Sequence, residues 1–252
     1  MDFYSALCAH YNEVFPLDPT VSDFVQASLE LTPDANQSGS NILDIGCATG
    51  SLALSLATMG HRVMGIDLDA EMISMSNRAA ANLPAGLMRF TPEFLVADMM
   101  NISKQFAHES FDRILCMGNT LVHLPDQIAI ADFFAQSRAL LAADGKLLVQ
   151  ILNYDRILDH GIMSLPAIET KNMVFTREYH MRTDNRLDFC TNLTGRETRK
   201  TVTNVVPLLP LTKAEVDELL LAAGYKTRNY FGSFTRTLFS QESFVLVIEA
   251  SL

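Results

Sequence analysis

Asn41-Ile42-Leu43-Asp44-Ile45-Gly46-Cys47-Ala48-Thr49-Gly50-Ser51 passes from a short apolar strand into a turn of small residues and then into the helix-period segment 51–59. A strand that enters a helix through Gly and Ala leaves backbone amides uncovered at the helix start, which suits a nucleotide-like ligand. The dinucleotide fingerprint G-x-G-x-x-G would place glycine at 48 and 51. Those positions hold Ala48 and Ser51, and the second glycine falls at Gly50, so the turn departs from pyrophosphate binding. Asp44, inside the strand end, suits a neighbouring cation better than a pyrophosphate. A tight strand-to-helix turn without a ligand is the simpler alternative.

Outward from this turn the chain alternates apolar strands with helical segments, the pattern of a parallel sheet covered on both faces. Strands are expected at 41–45, 62–66, 94–97, 113–117 and 146–152. Helices are expected at 51–59, 70–82 and 127–141, the last with Ile128, Phe133, Phe134 and Leu140/Leu141 as its apolar stripe. Gly60 and Gly145 follow helix ends, where a left-handed residue is expected. Two further acids close strands. Asp67 ends Val63-Met64-Gly65-Ile66-Asp67, where a carboxylate can accept both hydroxyls of a ribose, and Leu68 and Met72 follow it. Asp98 ends Val96-Ala97-Asp98-Met99-Met100, where it can accept from an exocyclic amine beside thioethers that pack on an aromatic face. Helix capping is the competing role for Asp69 and Asp98.

Residues 1–40 read as a helical lead-in, 4–15 and 20–31, with Pro16, Pro19 and Pro33 as breaks. After the fifth strand, residues 171–206 alternate apolar and polar positions around Thr183-Asp184-Asn185, which predicts an antiparallel hairpin. Thr212 and Glu215 have capping-box spacing at the start of a last helix ending at Gly224, and segments 226–232 and 243–250 form a closing hairpin. The expected organisation is a lead-in (1–40), a ligand-binding α/β domain (41–154 and 207–252) and an inserted cap (155–206).

The chain has 252 residues, a formal net charge of −10 and no basic stripe, which argues against a nucleic-acid partner. Its four cysteines have no paired spacing, so neither a disulfide framework nor a metal site is expected. No long apolar run or basic leader is present, and a cytoplasmic protein with no membrane partner is the expectation.

The ordered set LDIGCATG (43–50), GIDLD (65–69), VADM (96–99), FDRILCMGN (111–119) and the closing hairpin resembles the class I S-adenosylmethionine (SAM)-dependent methyltransferases over about residues 41–250. The resemblance implies a Rossmann-like, doubly wound seven-stranded α/β sheet with an antiparallel last strand, plus the inserted antiparallel β cap. It implies SAM as cofactor and S-adenosylhomocysteine as product. Asp44, Gly46, Cys47, Ala48 and Gly50 would then hold the methionyl part, Asp67 with Leu68 and Met72 the ribose side, and Asp98 and Met99 the adenine. Segments 111–126 and 153–155 further resemble the glycine/sarcosine N-methyltransferase branch. By that likeness Met117, Gly118 and Asn119 contact SAM, His123 lies near its methionyl end, and Asn153 meets the substrate.

Displacement at a sulfonium carbon neutralises charge, so alignment and desolvation of a neutral nucleophile suffice without a dedicated base. His123, Asn153 and Tyr11 are the candidates nearest the chemistry. Each has a bland counterpart: a hydrogen-bonded loop histidine, a turn asparagine and a core aromatic. Tyr4 and Tyr11 on the lead-in helix are placed to close over the cofactor. Arg177 and Tyr179 in the cap are candidate substrate contacts, with a guanidinium suited to gripping a carboxylate, although exposed strand charges serve equally well as a reading. The sequence leaves an NAD-dependent oxidoreductase and a non-catalytic SAM-binding module as alternatives, and either a monomer or a homodimer joined through an edge hairpin.

Overall fold

The computed structural model describes residues 3–29, 39–84 and 86–252, the first four of these by backbone alone. The expected helical residues Glu30 and Leu31, the break at Pro33 and the side chain of Tyr4 lie outside the described residues.

Two helices lead in, α1 (Phe3–Val14) and α2 (Pro19–Leu29). Pro19 opens α2 instead of merely interrupting the chain. Its missing N–H is one the first turn does not need, and Asp18 Oδ1 accepts from Thr20 N at 2.9 Å. The alternating region then forms β1 (Asn41–Ile45), α3 (Ser51–Thr58), β2 (Arg62–Asp67), α4 (Ala70–Ala81), β3 (Glu93–Val96), α5 (Ile102–Gln105), β4 (Phe111–Cys116), α6 (Gln127–Leu140) and β5 (Leu141–Leu152). A short α7 (Tyr154–Asp159) leads to a cap of β6 (Ser164–Glu169), β7 (Met173–Met181), β8 (Leu187–Gly195) and β9 (Thr201–Leu208). The chain returns through α8 (Lys213–Ala222), β10 (Thr227–Phe231) and β11 (Val245–Ser251).

The main sheet has seven strands in the order β10-β11-β5-β4-β1-β2-β3, and β11 runs antiparallel to both of its neighbours. Side-chain alternation divides the core by face. Leu43, Ile45, Ile114, Leu147 and Ile248 pack toward Phe133 and Phe134 of α6 and Val216 and Leu220 of α8. Ile42, Leu115, Leu148 and Val247 pack toward Phe24 of α2 and Leu52 and Leu56 of α3. Apolar residues of consecutive number thus serve opposite layers, which is why these strands read as unbroken apolar runs.

Three local expectations are corrected. Ile128 is 81% exposed, because Asp126 caps α6 through Ala129 N and the helix phase turns Ala129, Ile130, Phe133, Phe134 and Leu140 inward. Gly60 is left-handed at φ 98°, but Gly145 is not among the positive-φ glycines. It lies in β5 beside the irregular register against β4, where a Cβ would approach Ala142 O to 2.8 Å. The cap is a four-stranded antiparallel sheet, β6-β7-β8-β9, and not a lone hairpin. Its two edge strands carry Pro166 and Pro207, where a missing N–H is tolerated and further pairing is discouraged. Thr212 and Glu215 form the capping box of α8. No helix among the described residues is long and apolar enough to cross a membrane.

Candidate active-site cleft

A cleft of about 590 Å³ opens over the carboxyl ends of β1, β2, β3 and β4, where open α/β sheets bind ligands. Its floor is Ile45, Gly46 and Ala48 after β1. One wall is Asp67, Leu68, Asp69 and Met72, with Ala97, Asp98 and Met99 beside it, and the opposite wall is Gly118, Thr120 and His123. Leu7 and Tyr11 of α1 close it from above.

The glycine turn is built by two different bond sets. Gly46 N and Cys47 N both donate to Ile66 O, at 2.8 and 3.0 Å, and Gly50 N donates to Cys47 O at 2.9 Å. These amides are spent within the turn, so the turn's contribution is its shape and lack of side chains. Gly46 has φ +69°, and a Cβ there would sit 2.6 Å from Thr120. Ala48 adopts φ 48° and donates its N–H to Asp67 Oδ2 at 2.9 Å. The other Asp67 oxygen accepts from Asp69 N at 2.9 Å. Asp67 therefore fastens the β2 loop to the turn while its remaining lone pairs face the cleft. Burial raises its pKa, and backbone donors at Asp69, Ala48 and Leu68 oppose that rise.

Asp98 Oδ1 accepts from Met100 N at 2.9 Å and caps the following single turn, so its capping role and its place in the cleft wall coexist. Asp69 caps α4, accepting from Glu71 N and Met72 N, and also reaches the cleft. Leu68 is 72% exposed, an apolar side chain left at the cleft mouth. Tyr11 is pushed up to about 12 by burial and by the nearby Asp67 and Asp44 carboxylates, so its hydroxyl keeps its proton and can donate a hydrogen bond at neutral pH. His123 faces the open cleft, and the surrounding protein lowers its pKa, so its ring is neutral near pH 7.

Five of the expected cofactor residues stand behind the cleft lining. Cys47 is buried and its thiol pKa is raised by burial, while Gly50 makes room for the Phe94 ring. Met117 packs in the core. Asn119 accepts from Leu152 N at 2.9 Å and donates to Tyr154 Oη at 3.1 Å, joining the loop after β4 to the end of β5. Asp44 is buried at the end of β1, and its Oδ2 has no hydrogen-bond partner. Burial and Asp67 push its pKa up to about 7. An unsatisfied buried carboxylate oxygen within electrostatic reach of Tyr11 fits a cationic ligand group placed beside it.

That arrangement sets a pH dependence. The folded carboxyl titrates near 7 against an ordinary 3.8, so folding favours its protonated form across that interval. Relative to Asp44→Asn, the ligand-free protein is expected to lose stability as pH rises from 3.8 towards 7 and then level off, as read by urea unfolding. Affinity for a ligand ammonium runs the other way, rising about tenfold per pH unit up to about 7 and flattening above it. A titration with S-adenosylhomocysteine measures this.

Asn153 lies away from the lining. It is 1% exposed and caps α7 through Arg156 N, and its Nδ2 donates to the carbonyls of Ser240, Gln241 and Ser243. Its polar atoms are committed to clamping the loop before β11. Asn153→Ala should destabilise the fold by about 2–4 kcal/mol, since one cap and several buried carbonyl contacts are lost together. Thermal unfolding is the readout. Arg177 and Tyr179 also lie outside the cleft lining, on the cap. Leu7 and Thr120 were not anticipated as lining. Thr120 directly follows the Gly118-Asn119 turn, a signal that could have found it, whereas Leu7 reads as one more core position of an amphipathic helix.

A family model described as "Methyltransferase domain" matches residues 42–145. The ubiquinone biosynthesis O-methyltransferase of Xanthomonas axonopodis pv. citri (strain 306) is 32% identical over 137 residues, covering 54% of this chain and 51% of that protein. The chain spans about half the length of the curated relatives it matches. Among solved structures, a S-adenosylmethionine-dependent methyltransferase from Clostridium acetobutylicum ATCC 824 superposes with a TM-score of 0.78 at 16% identity, covering 99% of this chain and 98% of that one. The CcbJ methyltransferase from Streptomyces caelestis gives 0.76 at 21% identity, covering 92% and 93%. The fold is therefore the class I SAM-dependent methyltransferase fold, cap included.

Proposed function

We propose that the chain is a class I methyltransferase that moves a methyl group from SAM to a nitrogen or oxygen of a small molecule. The observation that carries this reading is the convergence of Asp67, Asp98 and the glycine turn on one cleft, in a sheet whose last strand is antiparallel. The family match over 42–145 and the O-methyltransferase relative support it.

In this reading Asp44 takes the amino group of the cofactor, which would supply the cation its orphaned oxygen lacks. Asp67 takes the ribose hydroxyls, and Asp98 the adenine amine, with Leu68, Met72 and Met99 as apolar walls. When bound, SAM supplies an electrophilic methyl on sulfur. Leu7 and Tyr11 exclude water from above, and Tyr11 donates a hydrogen bond because its phenol stays protonated. His123 is neutral, so it can accept a proton released by the acceptor or hold a water that does so. The acceptor is a small molecule and not a nucleic acid, consistent with a net charge of −10. The narrower glycine/sarcosine reading rests on segments 111–126, 153–155 and the Tyr-Phe-Gly-Ser-Phe run at 230–234, and Asn153, a main support for it, serves as a clamp.

The test is incubation with methyl-labelled SAM and a panel of amines, phenols and carboxylic acids. Label transfer with release of S-adenosylhomocysteine is expected for at least one class. SAM bound without turnover across the panel would favour a cofactor-binding module, and NAD bound in place of SAM an oxidoreductase.

A further inference from the structure

The carboxyl half of β5, residues 147–152, is apolar except at one place. Leu147, Leu148, Val149 and Ile151 are buried, and among them stands Gln150, 8% exposed, on the same face as Leu148 and opposite Val247 of β11. The buried cluster on that face, which includes Met117, Leu148 and Val247, is apolar. A carboxamide in such a setting is costly unless it is hydrogen-bonded.

What this amide holds is the wall of the cleft. Gln150 Oε1 accepts from Gly118 N at 2.9 Å, and the main-chain carbonyl of Gln150 accepts from Asn119 N at 3.1 Å. Gly118 is exposed to the cleft, and a Cβ built on it would meet no atom within 4 Å. A glycine with open space before it has nothing of its own to fix its peptide plane. The plane between Met117 and Gly118 is held at its two ends instead. Its N–H points to Gln150, and its carbonyl, Met117 O, accepts from Thr120 Oγ1 at 2.7 Å and from Thr120 N at 3.4 Å.

Thr120 in turn stands against the cleft floor, where a Cβ on Gly46 would come within 2.6 Å of its Cγ2. One buried side chain thus acts, through a single peptide plane, on both Gly118 and Thr120 of the cleft wall. The next residue is anchored independently. Asn119 accepts from Leu152 N and donates to Tyr154 Oη, so the turn stays attached to β5 without Gln150 and only the 117–118 plane is released.

We propose that Gln150, which stands behind the cleft lining, is a positioning residue for the cofactor: its Oε1 orients the Met117–Gly118 peptide so that Gly118 and Thr120 form the wall the cofactor packs against. The proposal rests on the methyltransferase reading above. Three variants test it. Gln150→Met keeps the length of the side chain and removes the acceptor, Gln150→Glu keeps an oxygen in the Oε1 position, and Val247→Ala loosens the core opposite Gln150 while leaving the bond to Gly118 in place. In calorimetric titration, S-adenosylhomocysteine should bind Gln150→Met about tenfold more weakly than the wild type, because the wall then holds its binding-competent arrangement only part of the time. Gln150→Glu and Val247→Ala should stay within about threefold of the wild type. Hydrogen exchange of the ligand-free wild type, followed by NMR, needs no variant: the Gly118 amide should be protected about as well as that of Asn119. Wild-type affinity in Gln150→Met, an equal loss in Gln150→Glu or in Val247→Ala, or a freely exchanging Gly118 amide overturns the proposal and leaves the methyltransferase reading standing. Failure of S-adenosylhomocysteine to bind the wild type would instead remove the reading on which the proposal depends.

Discussion

Replacing Asp67 with alanine should weaken binding of SAM and S-adenosylhomocysteine by more than about 100-fold while leaving the protein folded. A ribose diol donating to one carboxylate makes two charge-assisted hydrogen bonds, each contributing about 1.5–3 kcal/mol. Asp67 also holds Ala48 N and Asp69 N, so its loss loosens both loops that flank the ligand. Ala48 and Asp69 are half-buried and line the cleft, so water can replace the lost carboxylate, which limits the cost to the fold. Asp67→Asn removes the charge and one loop contact together. It keeps the size of the side chain, but its amide nitrogen cannot accept from Ala48 N or Asp69 N, so one of the two loop contacts is lost along with the charge. Circular dichroism should be unchanged in both variants, and calorimetry gives the affinities.

Gly46→Ala is the second large effect. A methyl at 46 meets the Thr120 side chain at 2.6 Å and must also adopt φ +69°. The left-handed backbone costs about 1–2 kcal/mol for a residue with a Cβ, and displacement of Thr120 adds to it. Thr120 is itself held by a 2.7 Å hydrogen bond to Met117 O, so it cannot swing aside freely. The expected outcome is a loss of about 2–4 kcal/mol in stability and at least tenfold in S-adenosylhomocysteine affinity, since the cleft floor and wall move together. The double variant Gly46→Ala/Thr120→Ala removes the clashing atoms and keeps the backbone strain. It should recover about half of the lost stability, measured by urea unfolding.

These two residues also mark what a reading of the chain alone could reach. Gly46 and Asp67 are legible because backbone conformation and strand-end position are local properties, carried by a few adjacent residues. The parallel region follows for the same reason, each strand and helix declaring its own period. For Asn119 and Asn153 only the family resemblance implies ligand contacts. Their partners are the end of β5 and the loop before β11, and no local pattern announces those long-range bonds. Ile128 shows a smaller failure of the same kind. Ile130, Phe133, Phe134 and Leu140 share the buried stripe, and Ile128, out of phase with them on the helix that Asp126 caps, is turned to solvent. In the cap, the alternation of β7 and β8 was visible, while β6 and β9 were hidden by Pro166 and Pro207 and by edge positions that bury less. Asp98 needed no choice between its two readings, because one oxygen caps a turn and the residue still lines the cleft.

On the proposed function this cleft takes SAM and not a dinucleotide. Calorimetric titration of the wild-type chain with S-adenosylhomocysteine and, separately, with NAD distinguishes the two. One-to-one binding of S-adenosylhomocysteine in the micromolar range with no heat from NAD is the predicted result, and saturable binding of NAD with none of S-adenosylhomocysteine would contradict it.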